Sequence, residues 1–257
     1  MKHPSPARHG FSLVELSIVL VILGLLTGGI LTGQSLIRAA ELRSVITEFQ
    51  RFQVATHTFR EKYFAMPGDM RNATAFWTSA GGDGTNATCV NAQSNASNAT
   101  CNGNGDGRVG TAGTLYSERF TAWKHLANAG LVEGNYSGKT TGASGTWAVT
   151  AGVNVPASKN QNGIYDLYFA PCAASELFLA AKCDITHITH FIAYPTPEET
   201  WSMDQKLDDG SPVYGRFNVH RPSSVAFPNN CASSDAASAV YNVSNKSAQC
   251  LIHLNID

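Results

Sequence analysis

The chain has 257 residues and a formal net charge of −1, and only 14% of it is Asp, Glu, Lys or Arg, against about a quarter in an ordinary soluble domain. That balance excludes electrostatic capture of nucleic acid by the chain as a whole, which needs a basic surplus. Setting one N-terminal helix aside leaves roughly 190 residues, enough for a single core with elaborations.

Residues 1–10 are a short polar leader containing Lys2, Arg8 and two histidines but no acid. From Gly10 to about Ile37 the sequence reads GFSLVELSIVLVILGLLTGGILTGQSLI, and Glu15 is its one charged residue before Arg38. As a helix this run exceeds the roughly 20 apolar residues that cross a bilayer. The basic leader places residues 1–10 in the cytoplasm and sends everything after Ile37 out. A cleaved secretory signal has an apolar core of only about 7–15 residues and a small-x-small site beyond it. Here the run is longer, and its far flank, TGGILTGQSLIRAAELR, continues as helix. A plain anchor leaves Glu15 unexplained, since a carboxylate in a membrane span costs roughly 2.5–3.5 kcal/mol on insertion scales and marks a functional position.

The block Gly10-Phe11-Ser12-Leu13-Val14-Glu15-Leu16 resembles the N-terminal signature of type IV pilins and of the pseudopilins of type II secretion. The resemblance is strong over about the first 40 residues. It implies cleavage by prepilin peptidase between Gly10 and Phe11 and N-methylation of Phe11. It also implies an assembly role for Glu15, facing the Phe11 amine of a neighbouring subunit. The fold implied is α+β and pilin-like: a long N-terminal helix over 11–66 on an antiparallel-sheet head over 67–257 with disulfides. The helix would span the membrane at about 13–36 and be amphipathic at about 37–64. The expected setting is a bacterial inner membrane, crossed once, with the head in the periplasm and in a filament or at the cell surface after assembly. The expected partners are that membrane, prepilin peptidase and other pilin-like subunits.

Past Arg38 the helix changes character. Leu42, Val45, Ile46, Phe49, Phe52, Thr56, Phe59 and Tyr63 recur every three or four residues, an aromatic stripe that packs on the chain's own head. Arg43, Glu48, Arg51, Arg60 and Glu61 fall mostly on other faces. Met66-Pro67-Gly68 ends the helix. Residues 78–114 are almost wholly Gly, Ala, Asn, Ser and Thr and read as a long loop. A second helix is expected over Leu115–Ala129 with Gly130 as its stop. Strands are expected at Thr146–Val155, Ile164–Ala170, Ile188–Tyr194, Val213–His220 and Leu251–Ile256, and a helical turn or two at Ala174–Lys182. Thr196-Pro197-Glu198-Glu199 is a helix start, with a capping threonine, an early proline and acids for the dipole. That helix should reach Lys206 and stop at Asp208-Asp209-Gly210.

Six cysteines, Cys89, Cys101, Cys172, Cys183, Cys231 and Cys250, all lie beyond the apolar segment, where an even number reads as disulfides in an oxidising compartment. Their spacing suggests neighbours: 89–101, 172–183 and 231–250. The loop sequence Asn102-Gly103-Asn104-Gly105-Asp106-Gly107 has oxygen donors at alternate positions, like the first half of a calcium-binding loop. Asn102, Asn104 and Asp106 are the candidate ligands. The position for the bidentate acid is Gly113, so Glu118, Asp83 or Asp69 would have to supply the missing charge. No other cofactor is expected. His187 and His190, three apart in a β-branched run, point to opposite sides of a strand. His125 reads as a surface or interface residue, and Asp204, Asp208 and Asp209 as a solvated helix end.

There is no G-x-S-x-G, H-E-x-x-H or P-loop, so the chain reads as a non-enzyme without a small-molecule substrate or nucleic-acid partner. The leading reading is a structural subunit of a type IV pilus or type II secretion filament. A minor tip subunit acting as adhesin or substrate-binding module is the second reading, and a membrane-anchored periplasmic enzyme the third.

Overall fold

The first helix, α1, runs without interruption from Leu13 to Tyr63. In this computed structural model the described residues are 12–80, 98–110, 116–139, 148–159, 163–170, 185–191, 195–219, 231–233, 238–247 and 250–256. Contacts divide the chain into two compact units, Met1–Glu41 and Leu42–Asp257.

In the first unit every large apolar side chain from Leu13 to Ile37 is exposed. Leu, Ile and Val surround the helix on all sides, so no polar face is left for water. The hydroxyls within it bond back to the helix: Thr27 donates to Leu23 O, Thr32 to Gly28 O and Ser35 to Thr32 O. Such back-bonding is what a helix in hydrocarbon requires. Among the described residues α1 is the one helix long and apolar enough to cross a membrane.

The second unit is built on the rest of α1. Val45, Ile46, Phe49, Phe52, Ala55 and Phe59 are buried. Their partners are a sheet and a second helix, α2, Tyr116–Asn128. The sheet has strands β1 Ile164–Ala170, β2 Ile185–Phe191, β3 Phe217–Val219 and β4 Ile252–Asn255, in the antiparallel order β1-β2-β4-β3. Strand alternation puts Tyr165, Leu167, Phe217, Ile252 and Leu254, all buried, on one face. Phe49 meets Tyr165 and Phe217 edge-on at 5.4 and 6.3 Å, and Phe52 meets Trp123 of α2 at 5.0 Å, a favourable aromatic geometry. The other face carries Asp166, His253 and Asn255, also buried; Arg119 of α2 pairs with Asp166, and Asn255 donates to Gly215 O. The last helix, α3, is Pro197–Leu207, opened by the full capping box of Thr196 and Glu199. Gly130, at φ 72°, ends α2.

The architecture is therefore α+β and pilin-like, as expected. Several local expectations are corrected. Residues 148–155 form no strand: Asn154 receives Thr150 N–H and donates to Lys139 O and Ala148 O, folding the segment into a turn. Strand β3 is short because Asp208 draws the N–H groups of Arg216 and Phe217 onto its carboxylate. Glu48 is not on a solvent face but buried. It accepts from Tyr165 Oη at 2.6 Å, Ser158 Oγ at 2.9 Å and Lys159 N at 3.2 Å, tying α1 to β1 and the segment before it. The turn expected at Ala174–Lys182 lies outside the described residues. The run holding His187 and His190 is a strand, β2, as expected.

Candidate functional site

Two places carry the predicted site residues. At the start of α1, Glu15 is exposed and accepts Ser12 N–H at 2.9 Å, one turn back. A carboxylate there offsets the positive helix end and the orphan N–H groups of the first turn. Gly10 and Phe11 lie outside the described residues.

The second place is residues 98–110, which pack into the head rather than standing off as a loop: Cys101 and Val109 are buried. Two carboxylates from elsewhere organise this segment. Asp69 accepts Gly105 and Asp106 N–H on Oδ1, at 2.5 and 3.0 Å, and Gly107 N–H on Oδ2 at 2.9 Å. Glu118 of α2 accepts Asn104 N–H and Gly110 N–H, one on each oxygen, both at 3.0 Å. Gly105, at φ 71°, has to be glycine, because a Cβ there would strike the Arg71 side chain. His125, fully buried, completes the clamp. Its Nδ1 accepts Gly68 N–H at 2.9 Å, which leaves Nε2–H to donate to Cys101 O at 3.0 Å. Its ring stacks on Phe59 and Trp77 at 6.1 and 5.5 Å.

The three expected ligands do not gather around one point, although Asn104 Nδ2 donates to Asp106 Oδ2 at 3.1 Å. Asn102 Oδ1 is taken by Thr74 N–H and Oγ–H. Asn104 Oδ1 accepts Asp106 N–H, and Asp106 Oδ1 accepts Arg108 N–H, so both side chains cap their own turn. Asp69, Asp106 and Glu118 converge instead, with carboxylate oxygens within 4.8 Å of one another. Gly113 and Asp83 lie outside the described residues. Burial, together with the charges of Asp69 and Asp106, pushes Glu118 up to about 7 against the N–H groups that hold it down. Burial also raises Asp69, helped by the charge of Asp106. Burial lowers His125 to about 4, keeping it neutral. Three crowded carboxylates of this kind are hard oxygen donors suited to a divalent cation.

His125 is thus a core residue, not a surface one. The sign available in the sequence was the E-x-x-x-A-x-x-H spacing of Glu118, Ala122 and His125, which share a helix face. Asp204 also departs from a solvated helix end. It is buried, accepts Tyr241 Oη–H at 2.7 Å and Gly210 N–H at 3.3 Å, and is pushed up to about 7 by burial. Cys231 and Cys250 are disulfide-bonded, with Cα atoms 5.5 Å apart. Cys101 is also disulfide-bonded; Cys89, Cys172 and Cys183 lie outside the described residues.

Residues 5–31 match the prokaryotic N-terminal methylation motif, the signature of type IV pilins and pseudopilins. Comparison with curated proteins and with solved structures gives no match.

Proposed function

We propose that this chain is a structural subunit of a helical filament of the type IV pilus or type II secretion kind. It is inserted in the inner membrane by α1, cut after Gly10, methylated at Phe11 and assembled with its head on the periplasmic or outer side. The observation that carries this reading is the methylation motif over residues 5–31 leading into a helix whose apolar side chains are all exposed up to Ile37. Such a surface needs lipid or other helices around it. Glu15 supplies the assembly contact. Its only described partner is Ser12 N–H, which a charged amine on an adjacent, offset subunit would outcompete in a dry helix bundle. For the three carboxylates of the head, calcium remains the ion proposed.

Two variants test the reading. Gly10→Val should leave only precursor, longer by the ten-residue leader on mass spectrometry; mature protein of unchanged mass would sink it. Glu15→Val should still insert and be cleaved, but its ratio of fibre-associated to membrane-pool protein should fall at least tenfold at matched expression. Leaving one partner of a buried ion pair alone costs roughly 3–5 kcal/mol, more than enough for that drop. An unchanged ratio would point to a simply anchored head.

A further inference from the structure

The end of α1 is closed in a costly way. After Tyr63 the chain turns through Phe64 at φ 54°, with Phe64 N–H bonded to Arg60 O at 2.9 Å. That left-handed position normally takes glycine or asparagine. Here it holds a phenylalanine whose side chain is 94% exposed and which stacks on no other ring among the described residues. Backbone strain and a bare aromatic ring both oppose folding, and no ring contact among the described residues offsets them. Strain held in this way is characteristic of binding positions.

Beside Phe64 lies an open groove of about 760 Å³, lined by Arg60, Tyr63, Met66, Asp69, Arg71 and Asn72 among others. The Arg71 guanidinium is pinned, not loose: Nε donates to Asn104 O at 2.8 Å and Nη2 to Gly105 O at 3.3 Å. It makes no ion pair among the described residues, and its remaining N–H groups form an unoccupied edge that matches a carboxylate. Asp69, on the groove wall, accepts the N–H groups of Gly105, Asp106 and Gly107 and makes no ion pair with Arg71. The exposed side chain of Asn72 makes no capping bond to the short helical turn Ala73–Ala75 that follows it, and its amide can both donate and accept.

We propose that this groove binds an acidic sugar unit. Its carboxylate lies on the free edge of Arg71, the C–H face of its ring on Phe64, and a hydroxyl on Asn72. The electron-rich face of an aromatic ring attracts the weakly positive C–H groups of a pyranose, and Arg holds carboxylates by paired hydrogen bonds. A peptide ligand is disfavoured because the groove is shallow and half polar, with no closed apolar pocket for an anchor side chain. The site lies wholly within the Leu42–Asp257 unit and stands independently of the filament reading.

The test uses the full chain in detergent micelles and calcium-free buffer, since acidic sugars bind calcium themselves. The probe is a galacturonic acid tetramer, measured by titration calorimetry against its methyl ester and against tetraglutamate. Saturable binding of the tetramer is expected, with the ester and the peptide at least tenfold weaker. Phe64→Gly should weaken binding at least tenfold while melting at or above the wild-type temperature, because glycine relieves the turn. Arg71→Lys should weaken it similarly. Absence of saturable binding, equal binding of tetraglutamate, or full affinity in Phe64→Gly would each overturn the proposal. Phe64→Gly should still be cleaved after Gly10 and enter fibres, so a failure of sugar binding stays distinct from a failure of the filament reading.

Discussion

The two halves of α1 share one backbone geometry and meet different surroundings. From Leu13 to Ile37 the apolar residues cover every side and all are exposed. From Val45 to Phe59 all but the exposed Val54 form a stripe, and that stripe is buried by residues of the same chain. What differs is the distribution of polar residues. A helix with one apolar stripe can be completed by a sheet and a second helix, whereas a helix apolar all round can be completed only by lipid or by other such helices. The glycines separate the halves as well. Gly24, Gly28, Gly29 and Gly33 have nothing near them within the chain, while the second half of α1 has no glycine at all.

The sharpest way to break this contrast is truncation on each side of it. Phe49, fully buried between Tyr165 and Phe217, should cost about 3–5 kcal/mol of head stability when changed to Ala. Ile22→Ala, in the exposed half, should leave the head's denaturant midpoint unchanged. Urea unfolding of the detergent-solubilised chain, followed by near-ultraviolet dichroism, reads both. An equal loss in the two variants would mean that the halves are not energetically separate.

A smaller effect is expected at the polar tie. Glu48→Gln keeps one acceptor oxygen but must lose part of the bonding to Tyr165, Ser158 and Lys159, costing roughly 1–3 kcal/mol. The double variant Glu48→Leu with Tyr165→Phe removes both ends, and its loss should be smaller than the sum of the two single losses. Strict additivity would show that the buried bond is not a coupled unit.

These residues also show which parts of the molecule are legible in the sequence. Thr196-Pro197-Glu198-Glu199 announces its helix because capping is settled within four neighbouring residues, and the box is present. The aromatic stripe and the apolar span are read the same way, by period and length. Glu48 gives no such sign. Its partner Tyr165 lies 117 positions away, and a lone acid off the stripe looks solvated until the fold closes over it. Asp204, whose partner Tyr241 lies 37 positions away, fails to announce itself for the same reason. In the loop, the donor types were visible but not their direction. Asn102 and Asn104 spend their oxygens on backbone N–H groups, and the carboxylate that takes the first N–H groups of the run after Asn104 is Asp69, more than thirty positions away.

The halves should also differ in their response to pH. Between Glu15 and Arg38 there is no ionisable side chain, so insertion of that segment should not titrate. The head carries buried groups whose shifts oppose one another. Glu118 is raised from 4.5 to about 7. The folded state therefore binds its proton more tightly than the unfolded state, and the stability it contributes is complete below about 4.5 and lost as pH rises through about 7. His125 is lowered from 6.5 to about 4, so its contribution is complete above about 6.5 and lost as pH falls towards 4. Glu118→Gln should remove the first slope and keep the second, so its melting temperature should fall less than the wild type's between roughly pH 5 and pH 8. Calcium sharpens the test. Were calcium to bind at Asp69, Asp106 and Glu118, it would compete with the proton on Glu118. Added calcium should therefore raise the wild-type melting temperature above the Glu118 value of about 7, do little well below it, and do nothing in Glu118→Gln. A calcium shift that is the same at low and high pH would place the ion elsewhere. No shift at any pH would leave the three carboxylates as holders of backbone N–H groups alone.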